Sequence, residues 1–163
     1  MSAIQKDVVL LDFYRSEYES NLIEYYLPPE QQIYTAAPLD AVEKCSTESD
    51  RYPVVILHNG TLAGFFVLHG WEGVKEFSTN EKAILLRSYS VNEAFQGKGI
   101  ANQSMQLLPS FITKHFPEVN EVILAVNHNN HKAQYVYQKG GFEDKKFRAM
   151  GKKGEMFIYH MKI

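Results

Sequence analysis

The chain has 163 residues and a net charge of −2, with 45% hydrophobic and 22% charged side chains, a balance that fits an ordinary globular protein able to bury a sizeable core. No apolar run approaches the roughly 20 residues a membrane span needs, no signal-peptide pattern is read at its start, and a slightly acidic chain is a poor match for nucleic acid, so neither a membrane nor a nucleic acid is the expected partner. Cys45 is the only cysteine, which leaves no internal disulfide and points to a reducing, cytoplasmic setting.

The elements are read in order as one domain over residues 1–163. "DVVLLDFY" forms a first strand. "SEYESNLIEYYLPPE" predicts a helix capped by Ser16, with Glu19 three residues on, and stopped by Pro28–Pro29. "APLDAVEKCS" predicts a second short helix from near Pro38. "YPVVILHNGTLAGFFVLHGW" reads as two strands joined at Asn59-Gly60, a strong hairpin signal, and a further strand runs from Lys82 to Val91. After Gly99 an apolar stripe through Ile100, Ser104, Leu107, Leu108, Phe111 and Ile112 has helical spacing, with Pro109 expected to kink or shorten that helix. "NEVILAV" is a short buried strand, "NNHKAQYVYQKG" a helix closed by Gly140–Gly141, and two strands around a glycine-bounded turn follow. The order β-α-α-β-β-β-α-β-α-β-β predicts an α+β or mixed α/β fold on one sheet.

Charge is unevenly spread. Residues 1–50 carry ten acids against three bases, and residues 132–153 seven bases against two acids. The asymmetry suits a cationic ligand at one end and an anionic one at the other, and equally suits two solvated faces.

"VNEAFQGKGIANQ", Val91 to Gln103, places a Gly-rich turn between a strand and a helix, the arrangement of an anion site: bare N–H groups and the positive end of the helix dipole converge. A Walker loop needs an upstream glycine that is missing here, and a dinucleotide fingerprint needs a third glycine where Asn102 stands. "QGKGIA", Gln96 to Ala101, resembles the pyrophosphate loop of the GNAT-type N-acetyltransferases. "NHKAQYVYQKGGF" resembles that family's later signature, with Asn130, Ala133, Tyr137, Gly141 and Phe142 in register.

The resemblance implies an acyl-CoA N-acyltransferase fold: a mixed, mostly antiparallel sheet of about six or seven strands flanked by about four helices. It implies acetyl-CoA as cosubstrate, with coenzyme A as product, and an amine acceptor on a small molecule or protein. Tyr89 and Val91 would offer main-chain groups to pantetheine, in a slot opened where the fourth and fifth strands splay. Gln96, Gly97, Lys98, Gly99, Ile100 and Ala101 would face the phosphates, with Lys98 either adding charge or standing solvated. Asn130, near Ala133, would bind the pantetheine amide, cap its helix, or both. Tyr137 would protonate the departing thiolate, since a phenol with a pKa of roughly 10 stays protonated at neutral pH; a core aromatic is its structural alternative. Tyr135 would pack elsewhere.

An alkylamine is only about one part in a thousand neutral near pH 7, so a base must assist. Many relatives use a glutamate on the fourth strand. "AILLRSYS" has no carboxylate, leaving Glu72, Glu76, His69 or water. Arg87 would bind an acidic group of the acceptor or pair with a neighbouring carboxylate. His128 and His131 have feasible metal spacing but no partner ligand, so no metal is expected. The acidic N-terminal third, with Tyr14, Tyr18, Tyr25, Tyr26 and Tyr34, suggests a polyamine-like cation as acceptor. A non-catalytic acyl-CoA sensor on the same fold is the alternative, and a homodimer is compatible with either.

Overall fold

A computed structural model describes residues 7–163. Its centre is one seven-stranded sheet in the order β1-β2-β3-β4-β5-β7-β6, formed by β1 (Val9–Phe13), β2 (Arg51–His58), β3 (Thr61–His69), β4 (Ala83–Val91), β5 (Glu121–Asn127), β6 (Glu143–Gly151) and β7 (Gly154–Lys162). Every neighbouring pair is antiparallel except β4–β5. The mixed sheet expected from the sequence is the one observed.

Six helices cover it: α1 (Glu19–Ile23), α2 (Pro29–Gln32), α3 (Pro38–Thr47), α4 (Trp71–Val74), α5 (Ile100–His115) and α6 (His131–Lys139). Alternation along the strands divides the core in two. On one face Val54, Ile56, Phe66, Ile84, Leu86, Val122 and Leu124 pack with Ile100, Met105, Leu108 and Ile112 of α5. On the other, Val55, Phe65 and Val67 meet Leu22 of α1 and Ala41 of α3, while Ala83, Leu85 and Ile123 meet Val74 of α4.

Local chemistry explains most element ends. Asn59 and Gly60 both take positive φ, 51° and 83°, as the hairpin turn between β2 and β3 requires. Asn130 caps α6, its Oδ1 accepting from the Ala133 N–H at 3.3 Å, and Gly141 leaves that helix at φ 109°.

Two expectations are corrected. Ser16 does not cap: a 3-10 turn spans Ser16–Tyr18, Arg15 occupies the cap position without a side-chain capping bond, and α1 ends at Ile23, before the prolines. Arg15 is instead paired with Asp12 and Glu17 at 3.0 and 2.9 Å. Pro109 does not shorten α5, which continues to His115. A helical proline costs about 3 kcal/mol, whereas full burial of an aliphatic side chain returns roughly 1.5–3 kcal/mol; Met105, Leu108 and Ile112 are all buried around it. No local sequence pattern marks the one-turn helices α2 and α4.

Candidate active site

β4 and β5 pair only at Ala83–Glu121, Ile84–Val122 and Leu85–Ile123. Beyond Leu85 they separate, and the wedge between them opens a cleft of about 1040 Å³. The edge of β4 from Leu86 to Val91 thus has no strand partner on the β5 side among the described residues, leaving main-chain groups available to an extended ligand.

A bulge sets which side chains face this wedge. Phe65 pairs with Ser90 and Val67 with Arg87, so Phe66 alone opposes Ser88 and Tyr89, and Ser88 takes φ 55°. One extra residue reverses the alternation. Ala83, Leu85 and Arg87 follow the α4 face, whereas Tyr89 turns to the α5 face and packs on the main core. Ser90 returns to the first face, where its hydroxyl lies 2.8 Å from that of Tyr25. Nothing in "RSYSV" signals this reversal, because Ser88 is not a residue that favours left-handed backbone.

The glycine loop lies at the mouth of the wedge. Gly97 and Gly99 take φ 80° and 76°, a conformation that turns successive N–H groups outward. The Gln96 N–H is already donated to the Glu93 carbonyl at 3.1 Å, so bare amides start at Gly97, one residue later than expected. Those from Gly97 through Ala101 have no acceptor among the described residues. The Gln96 side chain is a strut: it donates to the Val91 carbonyl at 2.8 Å and exchanges hydrogen bonds with Gln31 of α2. Val91 therefore has its carbonyl partly engaged. Ile100 is buried in the core and offers only its backbone. Lys98 does not line the cleft; it is exposed, with its ammonium 5.5 Å from the centre of the Phe95 ring.

Tyr89 ties β4 to the start of α5. The Ser104 hydroxyl donates to the Ala101 carbonyl at 2.7 Å, so the Tyr89 hydroxyl, 2.5 Å from Ser104 Oγ, is the donor to it. Tyr137 projects from α6 into the same wedge, half-buried and lining the cleft. Its ring touches those of Tyr89 and Phe142 edge-on. Its hydroxyl has no hydrogen-bond partner among the described residues. Burial, and secondarily the Tyr89 phenol, push its pKa above the ordinary tyrosine value, so it holds its proton. Asn130 and Ala133 line the cleft beside it; the Asn130 carbonyl oxygen serves as the cap, leaving its NH₂ group free. Tyr135 is mostly exposed at the rim of the cleft rather than packed, because α6 buries only a narrow stripe.

Of the three base candidates, Glu76 alone lines the cleft. Glu72 is exposed and paired with Lys75. His69 is buried, its Nδ1 3.1 Å from Arg87 Nη1 and its Nε2 3.3 Å from Asp50 Oδ1; burial lowers its pKa. Arg87 lines the cleft on this side. His128 is turned to β7, with Nδ1 2.8 Å from the Glu155 carbonyl. Of the N-terminal tyrosines only Tyr34 reaches the cleft. Gln31 and Tyr25 are additional residues of this region; no local pattern in the sequence marks either.

A strand that bulges and parts from its parallel neighbour, with an amide loop at the mouth of the gap, is the architecture of acyl-CoA N-acyltransferases. The profile of the acetyltransferase (GNAT) family matches residues 14–142, and the chain belongs to that family, whose members are acetyl-CoA-dependent N-acetyltransferases. A Bacillus subtilis (strain 168) protein described as the uncharacterized N-acetyltransferase YbbJ is 40% identical over 153 residues, 93% of this chain and 96% of its own length. Among solved structures, the aminoglycoside acetyltransferase AAC(6')-Ib in complex with coenzyme A and kanamycin matches with a TM-score of 0.78 at 19% identity, covering 95% of each chain. A spermidine N-acetyltransferase SpeG chimera from Vibrio cholerae and hSSAT matches at 0.64 and 16% identity, covering 94% of this chain and 95% of its own. At such identities these two share the fold.

Proposed function

We propose that the chain transfers the acetyl group of acetyl-CoA directly to an amine, with Tyr137 as general acid. The observation that carries this is the half-buried, unpartnered Tyr137 hydroxyl inside a wedge whose mouth is lined by the bare amides of Gly97 to Ala101. Those amides, at the positive end of α5, bind the diphosphate. The open edge of β4 pairs with the pantetheine arm, and the Asn130 NH₂ group donates to it. The attacking amine enters from the side of the cleft lined by Glu76 and Arg87 and must arrive neutral. Glu76, directly or through water, takes its proton. As the C–S bond breaks, Tyr137 gives its phenolic proton to the sulfur, and its raised pKa keeps that proton in place until thiolate charge develops.

The cleft that receives the acceptor is not generally acidic. Of the ten acids among residues 1–50, only Glu30 lines it; with Glu76 it faces three basic side chains, Arg87, Lys132 and Lys152. This weakens the polyamine expectation drawn from the overall charge of that segment. Thiol release from acetyl-CoA over an amine panel tests the proposal. Turnover that collapses in Tyr137→Phe supports it. Tight acetyl-CoA binding with no turnover on any amine identifies the chain as an acyl-CoA sensor instead.

A further inference from the structure

We propose that Arg87 is the anchor for a carboxylate on the acceptor, so that the substrate is a small amine that also carries an acid, as amino acids do. The inference rests on the acetyl-transfer reading above and adds the class of acceptor.

Arg87 stands on the face of β4 opposite Tyr89 and α5, in the cleft wall that also contains Glu76 and Phe77. It is half-buried, and a guanidinium keeps its charge even there. Burial, and next the nearby Arg51, oppose that charge, while Glu76 and Glu48 favour it from beyond ion-pair distance. Among the described residues no carboxylate lies within ion-pair distance of it. The acids around it are otherwise engaged: Glu48 is paired with Arg51, and Asp50 faces His69 and accepts the Glu72 N–H at 3.0 Å. Glu76 lines the same cleft without reaching the guanidinium.

Of the five N–H donors of Arg87, a single one has an acceptor among the described residues, His69 Nδ1 at 3.1 Å. That contact is specific. Accepting at Nδ1 requires a neutral ring with its proton on Nε2, the nitrogen that faces Asp50. The ring is pressed against Gly73, where a Cβ would overlap it. His69 thus fixes the direction of the guanidinium without neutralising it. A structural arginine in a protein wall is matched by an acid in direct contact; this one has its orientation set by His69 and no carboxylate in contact among the described residues. A carboxylate entering the cleft meets two parallel N–H donors of the fork, and Glu76 on the same wall is left to receive the proton of the amine. A polycationic acceptor would meet a like charge here.

The test compares kcat/KM for L-amino acids with that for their decarboxylated counterparts, lysine against cadaverine and phenylalanine against phenethylamine, alongside calorimetric binding of acetyl-CoA. The wild type is expected to favour the acid-bearing member of each pair, and Arg87→Met to lose at least about 30-fold on that member with a much smaller change on the other. Arg87→Lys should retain part of the preference. If Arg87→Met does not fold, as judged by its thermal melt, the wild-type preference and Arg87→Lys decide the matter. Equal or better turnover of the decarboxylated amines, or an equal loss on both members, overturns the proposal. Acetyl-CoA binding with no turnover of either set also overturns it and leaves cofactor binding intact. Absence of acetyl-CoA binding overturns the transferase reading itself, and this one with it.

Discussion

Tyr89 and Tyr137 meet edge to face across the wedge between β4 and β5, their ring centroids 5.9 Å apart and their planes at 70°. The Tyr89 hydroxyl is spent on Ser104, whereas that of Tyr137 has no partner among the described residues. Tyr137→Phe is therefore expected to lower kcat by about 10²–10⁴-fold while acetyl-CoA affinity changes little. Stopped-time thiol release and calorimetry on the same preparation check this, and an unchanged kcat would remove Tyr137 from the chemistry.

The same pair predicts the shape of the pH–rate profile. Burial raises the pKa of Tyr137 above its ordinary value of 10.0, so its acid form persists through alkaline assays. The acceptor amine becomes more nucleophilic as it deprotonates. kcat/KM should therefore climb with pH and show no fall before roughly pH 10. An alkaline limb near pH 8–9 that disappears in Tyr137→Phe would contradict this.

Gly99 precedes α5 at φ 76°, and a Cβ there would meet only Gln103 Nε2, at an ordinary contact distance of 3.8 Å, so alanine there is opposed by backbone strain and not by a clash. Gly99→Ala is expected to weaken acetyl-CoA binding by roughly tenfold, equivalent to the about 1–2 kcal/mol of left-handed strain, with a modest drop in melting temperature. Gln96→Ala removes the strut to Gln31 and Val91 and should weaken binding through a looser loop. Titration calorimetry measures both.

His69 makes acid stability predictable. Its folded pKa lies below 6.5, chiefly through burial. Between that value and 6.5 the unfolded chain binds the proton and the folded chain does not, so stability is complete above pH 6.5 and declines as the pH falls through the folded value. Urea midpoints from pH 7.5 down to 5 should fall for the wild type and fall less for His69→Gln. Gly73→Ala, whose Cβ would overlap the His69 ring, should lower stability by about 1–3 kcal/mol at every pH.

What was legible in the sequence follows from how local each signal is. Asn59-Gly60, the α5 stripe and the Asn130 cap act within a few residues of themselves, and each element they predict is present. The loop from Gln96 to Ala101 was recognisable because positive φ leaves glycine as its mark. The β4 bulge was not, since Ser88 is driven into left-handed backbone by strand pairing on one side only, a tertiary cause. The exposure of Tyr135 has a tertiary cause too: helical spacing separates it from Tyr137 but does not say that its own side is left open at the cleft. Arg87 is visible as a cation on a strand otherwise free of charge, but that Glu48 and Asp50 are engaged elsewhere is a tertiary fact no local pattern carries.

Calorimetric titration of acetyl-CoA into the wild type and Gly99→Ala tests the central claim most directly. The account predicts one site per chain that binds coenzyme A as well and is weakened in the variant. No heat of binding, or binding indifferent to the variant, would contradict a diphosphate held by the amides of Gly97 to Ala101.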